Sequence, residues 1–334
     1  MNGNHWDARA GEPTVASAGE LAAIAAFTPR LPTSANRVLG PGDDAAVLAA
    51  PDGQVVITTD TMVHGPDFRT AWSTPFDLGW KIAASNLADV AAMGAAPTAL
   101  VVSLVVPQST PIRVLCEIAD GLRAACERLA PGCGVEGGDL ATGPTIMAAA
   151  TAFGDLQGRQ PVTRAGARAS DVVAVSGALG AAAKGIADLF LLATIDGEPD
   201  AALASALRAW SSDVRAQLQP TPPIGDGVLA AIAGATSMLD VSDGLVLDAR
   251  RIARASGVTI DLHAAAIGDQ AALHGGEDHA LLATFPPNAV LPGGFRAVGV
   301  VGAAVNQPGV TVDGVADDAA GGWDPFAGWD GHSG

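Results

Sequence analysis

The chain has 334 residues, 49% hydrophobic and 16% charged, with 35 Asp+Glu against 18 Lys+Arg and a formal net charge of -17. That length suits about two domains, and that composition excludes a disordered polymer. The acidic balance repels polyanions, so nucleic acid and anionic membranes are excluded as partners, and no uninterrupted apolar run reaches the ~20 residues of a membrane span.

Cys116, Cys126 and Cys133 are odd in number and lack CxxC spacing. They fit free thiols in a reducing cytoplasm better than a disulfide framework or a zinc site. The first residues lack a basic segment followed by an apolar one, so no secretory signal is expected.

In chain order, residues 1–17 read as a disordered tail. A helix is expected from Ala18, with Leu21, Ile24 and Phe27 on one face and Pro29 as its stop. After the glycine-rich GPGDDAAVL comes a strand, Gln54–Thr59, delivering Asp60 at its carboxyl end. Thr74 as N-cap, Pro75 at the first helical position, Asp77 at capping-box spacing and Gly94 beyond the last turn bound a second helix. Ala99–Val106 reads as a strand, Pro111 opens another helix, and 145–153 reads as a strand. A polar stretch, 154–170, marks the junction between domains 18–155 and 156–330. Beyond it come a strand at 171–175, a helix from about Leu179, the proline-rich QPTPPIGDG and a strand–turn–helix over 237–257.

Aspartates flanked by glycine or set in apolar elements recur: Asp43, Asp44, Asp60, Asp89, Asp139, Asp240 and Asp243. Singly, each fits a turn, since Asp tolerates left-handed backbone. Together they demand a cation, because carboxylates inside apolar elements are costly unless paired. The sequence has only two lysines, Lys81 and Lys184. All-oxygen ligands favour magnesium or calcium over zinc. GPGDDA matches a dinucleotide-binding fingerprint, but Pro51 leaves no room for the required helix; no P-loop surrounds either lysine. The six histidines show no HExxH spacing, and His274 and His279 read as loop residues.

GPGDDAAVL, TTDTMVHGPDF, NLADVAAMGA, GGDLATGP, TRAGA, LDVSDGL, GGEDHAL and a terminal GWD occur in that order. From about residue 18 to 330, the sequence so resembles the thiamine-monophosphate kinase family, part of the aminoimidazole-ribonucleotide synthetase-like superfamily. The resemblance implies an α/β, two-domain fold and a homodimer whose amino-terminal strands form a shared barrel. It implies magnesium-dependent, in-line transfer of the ATP γ-phosphate to thiamine monophosphate, giving thiamine diphosphate and ADP without a general base. By motif position, Asp44, Thr58, Thr59, Asp60, Asp89, Asp139, Asp240 and Asp243 would hold several magnesium ions. Of these, Asp44, Asp60, Asp89, Asp139 and Asp240 would be catalytic through the bound metal. Gly138, Asp139, Arg164 and Ser242 would contact ATP, and Asp67, Glu277 and Trp323 the thiamine side.

The sequence departs from the family pattern in three places. Gln219–Pro223 lacks the usual arginines, which puts a phosphate or interdomain contact in doubt; His279 and Ala280 replace an aromatic and an acidic residue; and GWD occurs twice, at Trp323 and Trp329. Other ATP-using enzymes of the superfamily, aminoimidazole-ribonucleotide synthetase-like or hydrogenase-maturation-like, are the alternatives, followed by a non-catalytic divalent-cation-binding protein.

Overall fold

The computed structural model describes residues 5–40, 45–304 and 307–317. Two sheets organise the chain. The first has the strand order Val56–Val63, Met147–Asp155, Ala96–Val106, Gly134–Thr142, with only the last pair parallel. The helix Ile112–Leu129 lies between the two parallel strands in sequence, as a parallel pair requires a long connection. The second sheet has seven strands, in the order Ser237–Val241, Ala280–Phe285, Val172–Ser176, Arg296–Ala303, Val258–Leu262, Gly309–Val312 and Val315–Ala316.

The helix Pro75–Ala92 packs against strands of both sheets and against the helix Ile224–Ile232. It forms as its sequence dictates. The Thr74 hydroxyl accepts from the Asp77 amide, and the Asp77 side chain accepts in return from the Thr74 amide. Pro75 adds no unsatisfied donor, and Gly94 at φ +72° turns the chain out. Leu78, Ile82 and Leu87 are fully buried, each contributing about 1.5–3 kcal/mol. Its approach to the 112–129 helix is set by glycines: a Cβ on Gly79 would stand 2.0 Å from the Ile118 carbonyl oxygen, and one on Gly121 2.1 Å from that of Phe76.

The arginine-free proline segment does join the two halves. Gln219 Nε2 donates to Asp77 Oδ1 at 2.5 Å, and the Trp80 indole N–H donates to the Pro220 carbonyl at 2.7 Å. Arg208 completes the pairing of Asp77, with Nη2 2.7 Å from Oδ1.

Three expectations are corrected. Residues 5–17 are not a free tail: Trp6 is 4% exposed, and Val15–Ala18 forms one helical turn capped by Thr14. Asp60 sits within its strand rather than at its end, because the strand runs on through Met62 and Val63. The strand Gly134–Thr142 was not expected; it has three glycines and no apolar alternation, and it is recruited by parallel pairing to Ala96–Val106. Cys116, Cys126 and Cys133 are free thiols.

Candidate active site

Strand alternation turns Thr58, Asp60 and Met62 toward the 75–92 helix and Ile57, Thr59 and Thr61 away from it. The Thr58 hydroxyl donates to Asp89 Oδ2 at 2.8 Å, and the Asp60 amide donates to Asn86 Oδ1 at 3.1 Å. Asp240 comes from the second sheet and is buried, with Oδ2 3.2 Å from His279 Nδ1. The other ring nitrogen of His279 lies 3.2 Å from the Ser85 hydroxyl. His279 is therefore not a plain loop residue. It is buried, at φ +53°, and spans from the second sheet to the helix that carries Asp89.

The cluster is overcharged. Burial, then Asp240 and Asp60, push the Asp89 carboxyl up to about 7, against the Thr58 hydrogen bond and His279. Burial also raises Asp60, with His279 opposing and Asp240 and Asp243 adding to the rise. At His279, burial disfavours the cation, but its hydrogen bond to Asp240 and the charges of Asp240 and Glu277 outweigh that and raise its pKa. Asp243 has its own counterion, Arg251, at 2.5 Å. Arg251 also pairs with Asp248, which burial nonetheless pushes up to about 7.

Beside this cluster lies a cavity of about 310 Å³. Trp72, Ile186, Leu189 and Phe190 give it an apolar wall, and Asp67, Lys81, Gln217 and Glu277 supply polar groups. Buried Lys81 pairs with Glu277 at 3.0 Å, and Gln217 Nε2 donates to the other Glu277 oxygen at 2.5 Å. Burial works to raise Glu277, yet Lys81 and Gln217 hold it below the usual carboxylate range. Asp67 is raised, chiefly by burial, although its Oδ2 accepts from the Val63 amide at 2.7 Å. The Trp72 and Phe190 rings meet edge to face at 4.8 Å, with the Arg69 guanidinium 4.8 Å from each. An apolar cavity with a few fixed polar groups suits a small molecule with an apolar body and a few polar groups.

The loops that meet here are stitched together. The Glu277 amide donates to the Ser242 carbonyl at 2.8 Å. Asp278 caps the helix Ala181–Leu192, accepting from the Gly180 amide at 2.6 Å and the Ala182 amide at 2.9 Å.

Other expected residues stand apart. Thr59 points to the opposite sheet face and donates to the Ala150 carbonyl at 2.8 Å. Asp139 is exposed and shares that face, since it pairs with Ser103. Gly138 lies in the cross-strand row of Asp60, Ala150 and Val102, where a Cβ would stand 1.9 Å from the Val102 oxygen. Gly138 and Asp139 border a second cavity of about 710 Å³ with Val102, Leu104 and Val135. Arg164 is exposed, and its carbonyl accepts from the Ser256 hydroxyl at 3.0 Å. Asp44, Trp323 and Trp329 lie outside the described residues. Among the described residues, no three His, Cys, Asp or Glu already sit close enough to hold a metal.

Sequence reasoning missed Lys81, Gln217, Trp72 and Phe190. Only Lys81 gave a signal, as one of two lysines and set within an apolar helix.

Comparison with known proteins accounts for this arrangement. The family model "AIR synthase related protein, N-terminal domain" matches residues 42–156. The thiamine-monophosphate kinase of Mycobacterium tuberculosis is 42% identical over 95% of this chain and 92% of its own. The crystal structure of thiamine-monophosphate kinase from Stenotrophomonas maltophilia superposes with a TM-score of 0.71 at 30% identity, covering 84% of this chain and 92% of that one. AaThiL complexed with AMPPCP and TMP superposes at 0.70 with 28% identity, covering 85% and 91%. Fold and site thus define an α/β enzyme of the AIR-synthase-related class, with an acidic cluster beside an amphipathic cavity. The chain belongs to the thiamine-monophosphate kinase family.

Proposed function

We propose that this protein transfers the γ-phosphate of ATP to thiamine monophosphate, giving thiamine diphosphate and ADP. The observation that carries the reading is the overcharged cluster of Asp60, Asp89 and Asp240 next to a cavity with an apolar wall and a Lys81–Glu277 pair. Its donors are carboxylates and hydroxyls, and the raised pKa values of Asp60 and Asp89 mark negative charge that His279 only partly balances, so the residues fit magnesium. Asp60, Asp89 and Asp240, with Thr58, Thr59, Asp44, Asp139 and Asp243, would hold several ions. Bound magnesium supplies neutralisation of the donor and acceptor phosphates.

The protein's own groups bind and orient. Trp72 and Phe190 form the wall for the ring system, and Asp67 and Glu277 favour its cationic thiazolium. Trp323 would contact the thiamine side, and Gly138, Asp139, Arg164 and Ser242 would contact ATP. Both ring nitrogens of His279 are engaged, by Asp240 and Ser85, which leaves neither to act as a base. None is needed, since a phosphate monoester is already ionised above its second pKa of about 6.

We further infer a homodimer. Val55 is 55% exposed and Ile57 60%, on a sheet face left largely open among the described residues, and a second copy's strands would close it into a barrel. The units are assigned as an amino-terminal metal- and ATP-binding domain, 18–155, and a carboxyl-terminal α/β domain, 156–330. Free thiols fit the cytoplasm, and no helix among the described residues is long and apolar enough to cross a membrane.

Purified protein given ATP, magnesium and thiamine monophosphate is expected to yield ADP and thiamine diphosphate, with free thiamine as an inert control. Absence of turnover with the monophosphate, or equal turnover of thiamine, overturns the reading.

A further inference from the structure

The wall of the acceptor cavity that carries Asp67 is a segment, 64–73, with no helix and only one isolated bridge, His64 to Phe68. Its internal ties are few and local, such as the Gly65 amide to the Phe68 carbonyl at 2.9 Å and the Trp72 amide to the Arg69 carbonyl at 3.0 Å. Its two ends are tied elsewhere, by the His64 amide to the Ile146 carbonyl at 2.9 Å and the Trp72 indole to the Ala193 carbonyl at 3.0 Å, and the stretch between them needs further support to keep a charged side chain aimed.

That support comes from residues 5–16. The Trp6 indole stacks on Phe68, with centroids 5.8 Å apart and planes 17° from parallel. Its N–H donates to the Ser73 carbonyl at 3.0 Å, and the His5 amide donates to the Thr70 hydroxyl at 3.3 Å. Trp6 is 4% exposed but does not line the cavity; it stands behind Phe68, the residue after Asp67. The strap is itself anchored. Arg113, on the helix Ile112–Leu129, donates to the Trp6 and Asp7 carbonyls at 3.3 Å and pairs with Glu12 at 2.7 Å. Backbone bonds from the Val15 amide to the Thr110 carbonyl, 2.9 Å, and from the Ile112 amide to the Pro13 carbonyl, 3.0 Å, close the far end.

We propose that Trp6 is a positioning residue for the acceptor site: through Phe68 and Ser73 it fixes the 64–73 segment, and with it Asp67, against the 112–129 helix. The inference rests on the cavity being the thiamine monophosphate site. It makes the amino-terminal strap a determinant of acceptor binding, although the strap touches neither substrate.

The test uses full-length Trp6→Ala and Trp6→Phe. Trp6→Ala is expected to raise KM for thiamine monophosphate about five- to tenfold, leaving kcat and KM for ATP within about twofold. Trp6→Phe, which keeps a stacking ring, is expected to stay within about threefold of wild type. In hydrogen exchange, amides of 64–73 should exchange about tenfold faster in Trp6→Ala while those of Met147–Asp155 are unchanged. An unchanged acceptor KM, or parallel rises for both substrates, overturns the proposal. If Trp6→Ala does not fold, Arg113→Gln, which loosens the strap without emptying the Trp6 site, is read by the same split. A wild-type protein inactive on thiamine monophosphate overturns the kinase reading instead, and the exchange pattern alone then decides the strap.

Discussion

The Thr58 hydroxyl and the Asp89 carboxylate, 2.8 Å apart, join a strand of the first sheet to the central helix where the negative charge is most crowded. Replacing Asp89 with Asn keeps the shape and a hydrogen-bond acceptor but removes one charge. Turnover of Asp89→Asn is expected to fall at least about a hundredfold, or roughly 2.7 kcal/mol of transition-state stabilisation. Steady-state assays at saturating magnesium check this; near-normal turnover there would make Asp89 a structural residue.

The same carboxyl sets a pH dependence. Its folded pKa, about 7, lies above the unfolded 3.8, so the folded protein holds the proton longer. Relative to the ionised state, that contribution is fully present below about pH 4 and is lost as pH rises through about 7, up to about 4 kcal/mol before relaxation. Asp248 acts with the same sign. In chelator, the melting temperature should fall between pH 5 and pH 8, and Asp89→Asn should flatten the fall. Magnesium at pH 8 should recover stability by binding the native state. Parallel wild-type and variant curves would refute the assignment.

Chelation should also abolish turnover reversibly, because phosphates cannot approach the uncompensated cluster. Full activity in metal-free buffer would end the magnesium reading.

Glu277 is the partner of buried Lys81, and its own side chain is 38% exposed. Water therefore screens part of the pair, and Glu277→Gln should cost only about 1–2 kcal/mol of stability. Its effect on the acceptor should be larger, a rise in KM of about tenfold with that for ATP unchanged. Trp323→Ala should act in the same direction, by cation–π and stacking contacts of about 0.5–2 kcal/mol, and Trp329→Ala much less. Equal effects of the two tryptophan variants would remove Trp323 from the substrate side.

Ile57→Glu places a charge on the exposed sheet face, opposite the face that carries Thr58 and Asp60. It should shift the molecular mass in light scattering from dimer to monomer. A wild-type monomer would refute the shared barrel.

What was legible in the sequence had local causes. Thr74, Pro75, Asp77 and Gly94 dictate their helix by capping chemistry alone, and it starts at Pro75 and ends by Gly94. Asp60 and Asp89 could be singled out because a carboxylate in an apolar element is expensive wherever the chain folds. Long-range pairing was not legible. Nothing in the run from Gly134 to Thr142 reads as a strand until Ala96–Val106 lies beside it. His279 meets Asp240 and Ser85 only because strand 280–285 pairs with 237–241 next to the central helix. Trp6 stands alone in a polar stretch, and its partner Phe68 is remote in the chain.

The glycines at 79 and 121 bring two helices into backbone contact near the amino-terminal end of the central helix, well before its acidic turn. The gap between Thr58 and Asp89 is thus governed from a distance, by two absent methyl groups. An alanine at either position has no cavity to fill and must wedge the helix off its neighbour. The spacing that a metal ion would sense is a tolerance held at a joint more than two turns along the helix from Asp89.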